Sequence, residues 1–235
     1  YLVEITAEVL AAEDQAGGPA VDAIVDSAGQ KGTGRWTVIE AIRMGQSASA
    51  IEGAVAARAW SSERAVRALG PAHLGLGRGP VALDEGQLEA ALLAGRIVAL
   101  AQGFRILGAA SDEFGWNLDF ARTAEIWRAG CIIRSVLLDD IAAVFREGPP
   151  EGQLIYAPGF AARLRETVPA LRQVVAAAAL AGHAVPALAG ALAFVETMAQ
   201  PRGLAALIQA QRDYFGRHGF DRVDGGAGRH GPWWD

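Results

Sequence analysis

The 235-residue sequence contains a single cysteine, Cys131, which excludes an internal disulfide and is typical of a reducing compartment. No secretory leader is apparent, so we predict a cytoplasmic protein. No base stands beside Cys131 in sequence, and we interpret it as a small packed side chain rather than a catalytic thiol. The histidines do not show metal-ligand spacing, so no metal site is predicted: they are His73, His183, His218 and His230.

Strong charge bias and long apolar runs are also absent. The net charge is −5, and the four arginines and four aspartates between Arg212 and Asp235 cancel, which disfavours a nucleic-acid partner. The longest uninterrupted apolar runs, such as residues 174–181, are shorter than the roughly 20 residues that cross a bilayer. We therefore expect neither nucleic acid nor a membrane as a partner.

Alternating strand patterns are missing, whereas helical periodicity is widespread. One apolar stripe has residues spaced by three and four positions, and Asp84 with Gln87 forms a capping-box pattern before it. The stripe is Leu93, Ile97, Leu100, Phe104 and Leu107. A second stripe runs from Ile133 to Val144, and further helices are predicted over about 35–44, 49–69, 118–129, 160–181, 186–199 and 202–217. The sequence predicts an all-α fold.

The two ends of the chain carry information about its organisation. The chain starts at Tyr1 with a run that already has a helical pattern, and we interpret it as a fragment of a longer protein. Residues 216–235 are rich in glycine but include Phe220, Trp233 and Trp234, which need a docking surface on this subunit or another. We predict a helical domain over 1–217 and an extended tail over 218–235.

Lysine is almost absent, because Lys31 is the only one among 21 basic residues. It lies in a Gly/Thr-rich loop, residues 27–37, before a predicted helix. Gly32 and Gly34 let backbone amides approach an anion, and Thr33 adds a hydroxyl donor. This combination is typical of a phosphate site, although a tight turn with a solvated lysine gives the same pattern. The lysine precedes the glycines and no strand precedes the loop, which excludes a nucleotide P-loop.

Two other polar sites stand out. Arg58 lies in the apolar stretch 54–60, where its guanidinium either binds an anion or extends to solvent from a helix edge. Residues 209–218 are dense in polar groups at a predicted helix end. Here we expect Asp213 to pair with a neighbouring arginine, and His218 to act as a proton-sensitive donor or only as a helix cap.

Six blocks of the sequence resemble the decarboxylating 6-phosphogluconate dehydrogenases. Residues 26–37 resemble the family signature, and five further blocks match in the family's order: 1–6, 101–104, 114–116, 126–135 and 207–216. The resemblance implies an enzyme of the pentose phosphate pathway that oxidises 6-phosphogluconate at C3 with NADP. Loss of CO2 then gives ribulose 5-phosphate. It also implies an all-helical C-terminal domain that forms a homodimer, with each tail reaching the other subunit.

The resemblance assigns roles to five residues. Lys31 and Thr33 match residues that hold the substrate phosphate, and Arg58 matches an arginine at the same phosphate. Arg212 and His218 match residues that the partner's tail supplies to the substrate. The family's NADP-binding Rossmann domain, its general-base lysine and its general-acid glutamate are expected upstream of Tyr1. We therefore predict no catalytic residue on this chain and no activity of the chain alone.

Departures from the family pattern are few. Gly231 follows His230 where the family usually has threonine, which bears on the final contacts of the tail. Two rival hypotheses remain at this point. The first is a non-catalytic helical dimerisation module derived from such an enzyme, and the second is a related hydroxyacid dehydrogenase without a phosphate site.

Overall fold

The computed structural model describes residues 1–226 and 229–234, and all regular elements in these ranges are helical. The helices are α1 Leu2–Ala11, α2 Thr33–Arg43, α3 Ser49–Ser62, α4 Arg64–Arg67, α5 Gly70–Leu74, α6 Glu85–Phe114, α7 Phe120–Arg128, α8 Leu137–Glu147, α9 Pro158–Leu180, α10 Pro186–Met198 and α11 Ala205–Gly216. The predicted all-α class is confirmed.

The chain divides into two compact units, Tyr1–Phe194 and Val195–Asp235. The first contains α1–α9 and most of α10, and the second contains α11 and the tail. The predicted assignment of 218–235 as a tail that docks on a partner subunit stays a prediction.

The long helix α6 is the centre of the first unit. Asp84 accepts a hydrogen bond from the Gln87 amide at 2.7 Å, and the Gln87 side chain accepts one from the Asp84 amide at 3.0 Å, which confirms the predicted capping box. Ile97 and Val98 are completely buried, and α6 packs mainly on α9. The Phe104 ring lies 4.9 Å from the Phe145 ring. Burial of this apolar face, rather than helix propensity alone, fixes α6 in the unit.

Helix α6 bears on the expectation, drawn from the short apolar runs, that no membrane is a partner. Within the described ranges it is the one helix long and apolar enough to cross a membrane by length and composition. Half of its most apolar window is buried against the rest of the unit. A buried helix in the core of a helical domain gives the same hydropathy, so α6 by itself is weak support for a membrane span.

Two helices differ most from their predicted bounds. The helix predicted over 49–69 ends at Ser62, where the Ser61 and Ser62 hydroxyls donate to the carbonyls of Arg58 and Ala59 at 2.7 and 2.6 Å. Serine hydroxyls that bind local carbonyls compete with the helical pattern. The stripe that begins at Ile133 becomes helical only at Leu137. Apolar spacing located both helices, but it did not indicate where the first ends or where the second begins.

A buried polar network fixes the start of α3. The side chain of Gln102 is completely buried; its Oε1 accepts from the Ala50 amide at 3.1 Å and its Nε2 donates to Ser49 Oγ at 3.0 Å. Ser49 Oγ in turn donates to the Gly190 carbonyl at 2.7 Å. The network therefore satisfies a free amide at the N-terminus of α3 and ties this helix to α6 and α10.

Candidate functional site

The segment that contains Lys31 runs along α3. At one end the Ala28 amide donates to Ser61 Oγ at 2.9 Å, and further along Gln30 Nε2 donates to the Val55 carbonyl at 3.2 Å. The segment is therefore held beside the part of α3 between Val55 and Ser61. Arg58 lies in the middle of that part.

An ion pair anchors the start of the same segment. Arg67 donates to Asp26 Oδ2 at 2.8 Å and to the Asp26 carbonyl at 2.7 Å. The hydrogen bond from Arg67, followed by its charge, holds the pKa of the Asp26 carboxyl below its usual range. The nearest carboxylate preceding Lys31 is thus already neutralised by another residue.

The two glycines of the loop bring the N-terminus of α2 against α3. Gly32 is the N-cap residue with φ of 112°, a left-handed conformation that side chains disfavour. A Cβ at Gly34 would lie 3.0 Å from Val55 Cγ2, so glycine permits the close approach of the two helices. No side chain caps α2, and its first amide groups are free to bind an anion.

Lys31, Thr33 and Arg58 are all exposed around this helix end. Arg58 follows Val55 by three residues on α3 and therefore lies on the face that contacts the loop. In the part of the chain that the structure describes, the Lys31 and Arg58 side chains form no ion pair or hydrogen bond. Two unpaired cations on adjoining segments, next to the uncapped amides of α2, make this surface suited to an anion with more than one charge.

The two remaining candidate residues lie in the second unit, at the end of α11. Arg212 Nη1 donates to Gln209 Oε1 at 3.0 Å. His218 is exposed, follows the left-handed residue Arg217, and has its ring 5.9 Å from that of Phe215. A groove of about 340 Å³ is lined by His218, Gln209 and Arg229 among others. His218 and Arg212 are thus available to a ligand at one end of the helix.

Asp213 has a role that the sequence did not indicate. Its carboxylate is completely buried and accepts hydrogen bonds from at least four donors: Gly219 N at 2.9 Å, Gly231 N at 3.0 Å, His230 Nδ1 at 2.7 Å and Trp233 Nε1 at 2.9 Å. Burial alone would raise the pKa of this carboxyl, but the donors, with the Gly231 amide first, lower it to about 2. We expected an ion pair with a neighbouring arginine at this position; the structure shows in addition two backbone amides, an imidazole and an indole around the buried carboxylate.

The Asp213 cluster also accounts for the departure at Gly231. A Cβ at Gly231 would collide with the indole of Trp233, which is held by the same carboxylate. Threonine is therefore not accommodated beside Trp233 in this conformation. Trp233 also lies against Phe220, with 6.0 Å between ring centroids, so part of the tail's apolar surface is covered within the chain.

Cys131 and His183 have structural contacts. Cys131 is half-buried and its Sγ donates to the Trp127 carbonyl at 3.1 Å, in agreement with a packed side chain. His183 Nε2 lies 2.8 Å from the Gly79 carbonyl oxygen. No cluster of three or more potential metal ligands occurs among the described residues.

Comparison with known proteins identifies the family. Residues 1–233 match the sequence model of the C-terminal domain of 6-phosphogluconate dehydrogenase. The chain belongs to this family. Curated relatives named decarboxylating 6-phosphogluconate dehydrogenase include those of Treponema pallidum, 40% identical over 99% of this chain, and Schizosaccharomyces pombe, 42% identical over 94%. The match covers 50% and 46% of these relatives, so the chain spans about half their length.

A solved structure supports the same assignment to the 6-phosphogluconate dehydrogenase family. It is the Plasmodium falciparum 6-phosphogluconate dehydrogenase, described in its apo form, with its cofactor NADP+ and with its substrate 6-phosphogluconate. It has a TM-score of 0.91 and 33% identity, and the match covers 99% of this chain and 51% of that one. The fold of the present chain is therefore that of about half of the Plasmodium protein.

Proposed function

We propose that this chain is the substrate-binding and dimerisation part of a decarboxylating 6-phosphogluconate dehydrogenase. The whole enzyme oxidises 6-phosphogluconate at C3 with NADP, and loss of CO2 yields ribulose 5-phosphate. The observation that carries the proposal is the site at the N-terminus of α2, where the unpaired side chains of Lys31 and Arg58 flank uncapped amides. Family membership supplies the substrate class.

The chemistry of a phosphate ester fits this site. The ester carries about two negative charges at neutral pH and offers three acceptor oxygens. Lys31 supplies a compact ammonium, Arg58 a planar fork, and Thr33 a hydroxyl at the first position of α2. These groups together neutralise the ester and fix its orientation. Arg212 and His218 complete the site from the tail of the partner in our proposal.

The phosphate end of the substrate is remote from the reacting carbon. Binding there fixes C3 against the nicotinamide and the general base, so the free energy of phosphate binding contributes to turnover as well as to affinity. The described residues contain no strand–helix–strand unit of the kind that holds a dinucleotide. We therefore assign NADP binding and acid–base chemistry mainly to residues outside this chain.

Calorimetric titration of the dimeric chain with 6-phosphogluconate and with gluconate tests the proposal. We expect 6-phosphogluconate to bind at least about tenfold more tightly, because charge-assisted hydrogen bonds to the ester each contribute about 1.5–3 kcal/mol. Lys31→Ala and Arg58→Ala should remove most of that difference. Arg165→Ala, which removes another exposed arginine, from α9, is the matched control and should leave it unchanged.

The rival hypotheses predict other results. A helical dimerisation module binds neither acid, and a hydroxyacid dehydrogenase without a phosphate site binds both alike. Equal affinity for the two acids in the unmodified chain would refute the phosphate role assigned to Lys31 and Arg58.

A further inference from the structure

The buried carboxylate of Asp213 determines the path of the chain after α11. Each of its oxygens accepts at least two hydrogen bonds: Oδ1 from Gly219 N and His230 Nδ1, and Oδ2 from Gly231 N and Trp233 Nε1. A buried charge is tolerated only when such partners surround it. The four donors are therefore held at fixed positions relative to α11, although they come from a glycine-rich segment with little regular structure of its own.

The residue next to His218 is held on both sides of its backbone. The Gly219 amide donates to Asp213, and the Gly219 carbonyl accepts a hydrogen bond from Gln209 Nε2. The following amide, of Phe220, donates to the Arg229 carbonyl at 2.7 Å. Gly219 has φ of 71°, and a Cβ there would lie 3.1 Å from that same carbonyl oxygen. These contacts fix the direction in which the exposed ring of His218 leaves the chain.

Gln209 connects this arrangement to the second candidate residue. Its amide nitrogen donates to Gly219, while its Oε1 accepts a hydrogen bond from Arg212 Nη1 at 3.0 Å. One side chain thus contacts both the loop that carries His218 and the guanidinium of Arg212. An amide can serve both contacts because it has a donor end and an acceptor end.

We propose that Asp213 and Gln209 are positioning residues, which hold His218 and Arg212 in the arrangement that binds the phosphosugar. This inference rests on the proposed function, in which His218 and Arg212 contact the substrate. Neither Asp213 nor Gln209 needs to touch the substrate itself. Asp213 is buried, and both act through the residues that they hold.

A double-mutant cycle on the dimeric chain tests the role of Asp213. Asp213→Asn keeps the size of the side chain but removes its charge and one acceptor. We expect it to weaken 6-phosphogluconate binding about tenfold. This is the effect of losing roughly one hydrogen bond between His218 and the charged substrate. In a His218→Ala background the same substitution should change affinity less than twofold or so, because the residue it positions is gone. A purely structural role would weaken binding equally in both backgrounds.

Gln209 provides a second, independent arm. Gln209→Met keeps the length of the side chain but removes both hydrogen bonds, and should weaken 6-phosphogluconate binding in the unmodified chain but not in a background that carries both Arg212→Ala and His218→Ala. Gln211→Met, an exposed neighbour on α11, and Asp224→Asn, an exposed tail aspartate paired with Arg222, are the matched controls and should bind normally. Hydrogen exchange at the Gly219 amide reports directly on whether each variant releases the loop.

The outcomes separate the two proposals. If the unmodified chain does not distinguish 6-phosphogluconate from gluconate, the proposed function fails and this inference fails with it. If the unmodified chain distinguishes them but Asp213→Asn and Gln209→Met bind like wild type, or lose affinity equally in both backgrounds, only the positioning role is overturned. A variant that releases the loop and still binds normally also overturns it.

Discussion

Lys31 differs in geometry from the arginines that make up the rest of the basic residues. Its ammonium is a point charge on a flexible stem, whereas a guanidinium is wide and planar and requires acceptors in its own plane. Beside it, Gly34 allows the N-terminus of α2 to approach Val55 so closely that a Cβ would lie 3.0 Å from Cγ2. A compact cation suits a ligand seated at that helix end.

Replacement of Lys31 by arginine tests this argument. Lys31→Arg keeps the charge but brings a wider group to the N-terminus of α2, and we expect 6-phosphogluconate to bind about tenfold more weakly. Arg35→Lys, which makes the reverse exchange at an exposed position on the same helix, serves for comparison and should have a smaller effect. Wild-type affinity of Lys31→Arg in a calorimetric titration would show that charge alone is required.

The lowered pKa of Asp213 predicts that the stability of the tail cluster around this carboxylate depends on pH. Its pKa is lowered to about 2 in the folded chain, below the value of about 3.9 in an unfolded chain. The folded state therefore binds the proton less readily, and the stabilisation by this carboxylate is complete above about pH 4 and is lost as the pH falls towards 2. The amides of Gly219 and Gly231 should lose their protection from hydrogen exchange in that interval.

Asp213→Asn is the control for this pH dependence. The variant lacks the Asp213 carboxyl, so protection of the two glycine amides should be low and should not change between pH 4 and 2. Full protection of both amides at pH 2 in the unmodified chain would contradict the role of the Asp213 charge.

At the scale of elements, local patterns were informative where the contacts are local. Asp84 and Gln87 are three residues apart, and their capping box located the start of α6. The helix predicted from about residue 35 likewise begins close by, at Thr33. The Asp213 cluster could not be predicted in this way, because its donors follow up to 20 residues later in a segment without periodicity. Its formation depends on the path of the tail, which no sequence pattern specifies.

The crossing of α3 and α10 gives a prediction at this scale. A Cβ at Gly53 would lie 2.5 Å from the Pro186 carbonyl oxygen, so backbone atoms of the two elements meet there. Gly53→Ala should lower the free energy of unfolding by about 1–3 kcal/mol, since backbone must move to admit the methyl group. Chemical denaturation followed by circular dichroism measures the change.

Gly159 in α9 is the matched control for this substitution. A Cβ there has no atom within 4 Å, so Gly159→Ala should be neutral or stabilising by up to about 1 kcal/mol through helix propensity. If Gly53→Ala is tolerated as well as Gly159→Ala, the close approach of α3 to Pro186 does not limit the packing.

At the scale of the whole molecule, we expect substrate binding and oxidation of the substrate to depend on different parts of the enzyme. The described helices carry the proposed anion site and the candidate residues at the end of α11, but they contain no sheet on which a dinucleotide could be bound in the doubly wound manner. The chain also spans about half the length of its curated relatives.

We therefore expect the purified 235 residues to bind 6-phosphogluconate without reducing NADP. The measurement is absorbance of NADPH at saturating substrate, with the Escherichia coli relative, 39% identical to this chain, as the positive control. NADPH production by the 235 residues, lost on Lys31→Ala, would show instead that oxidation needs nothing beyond these helices.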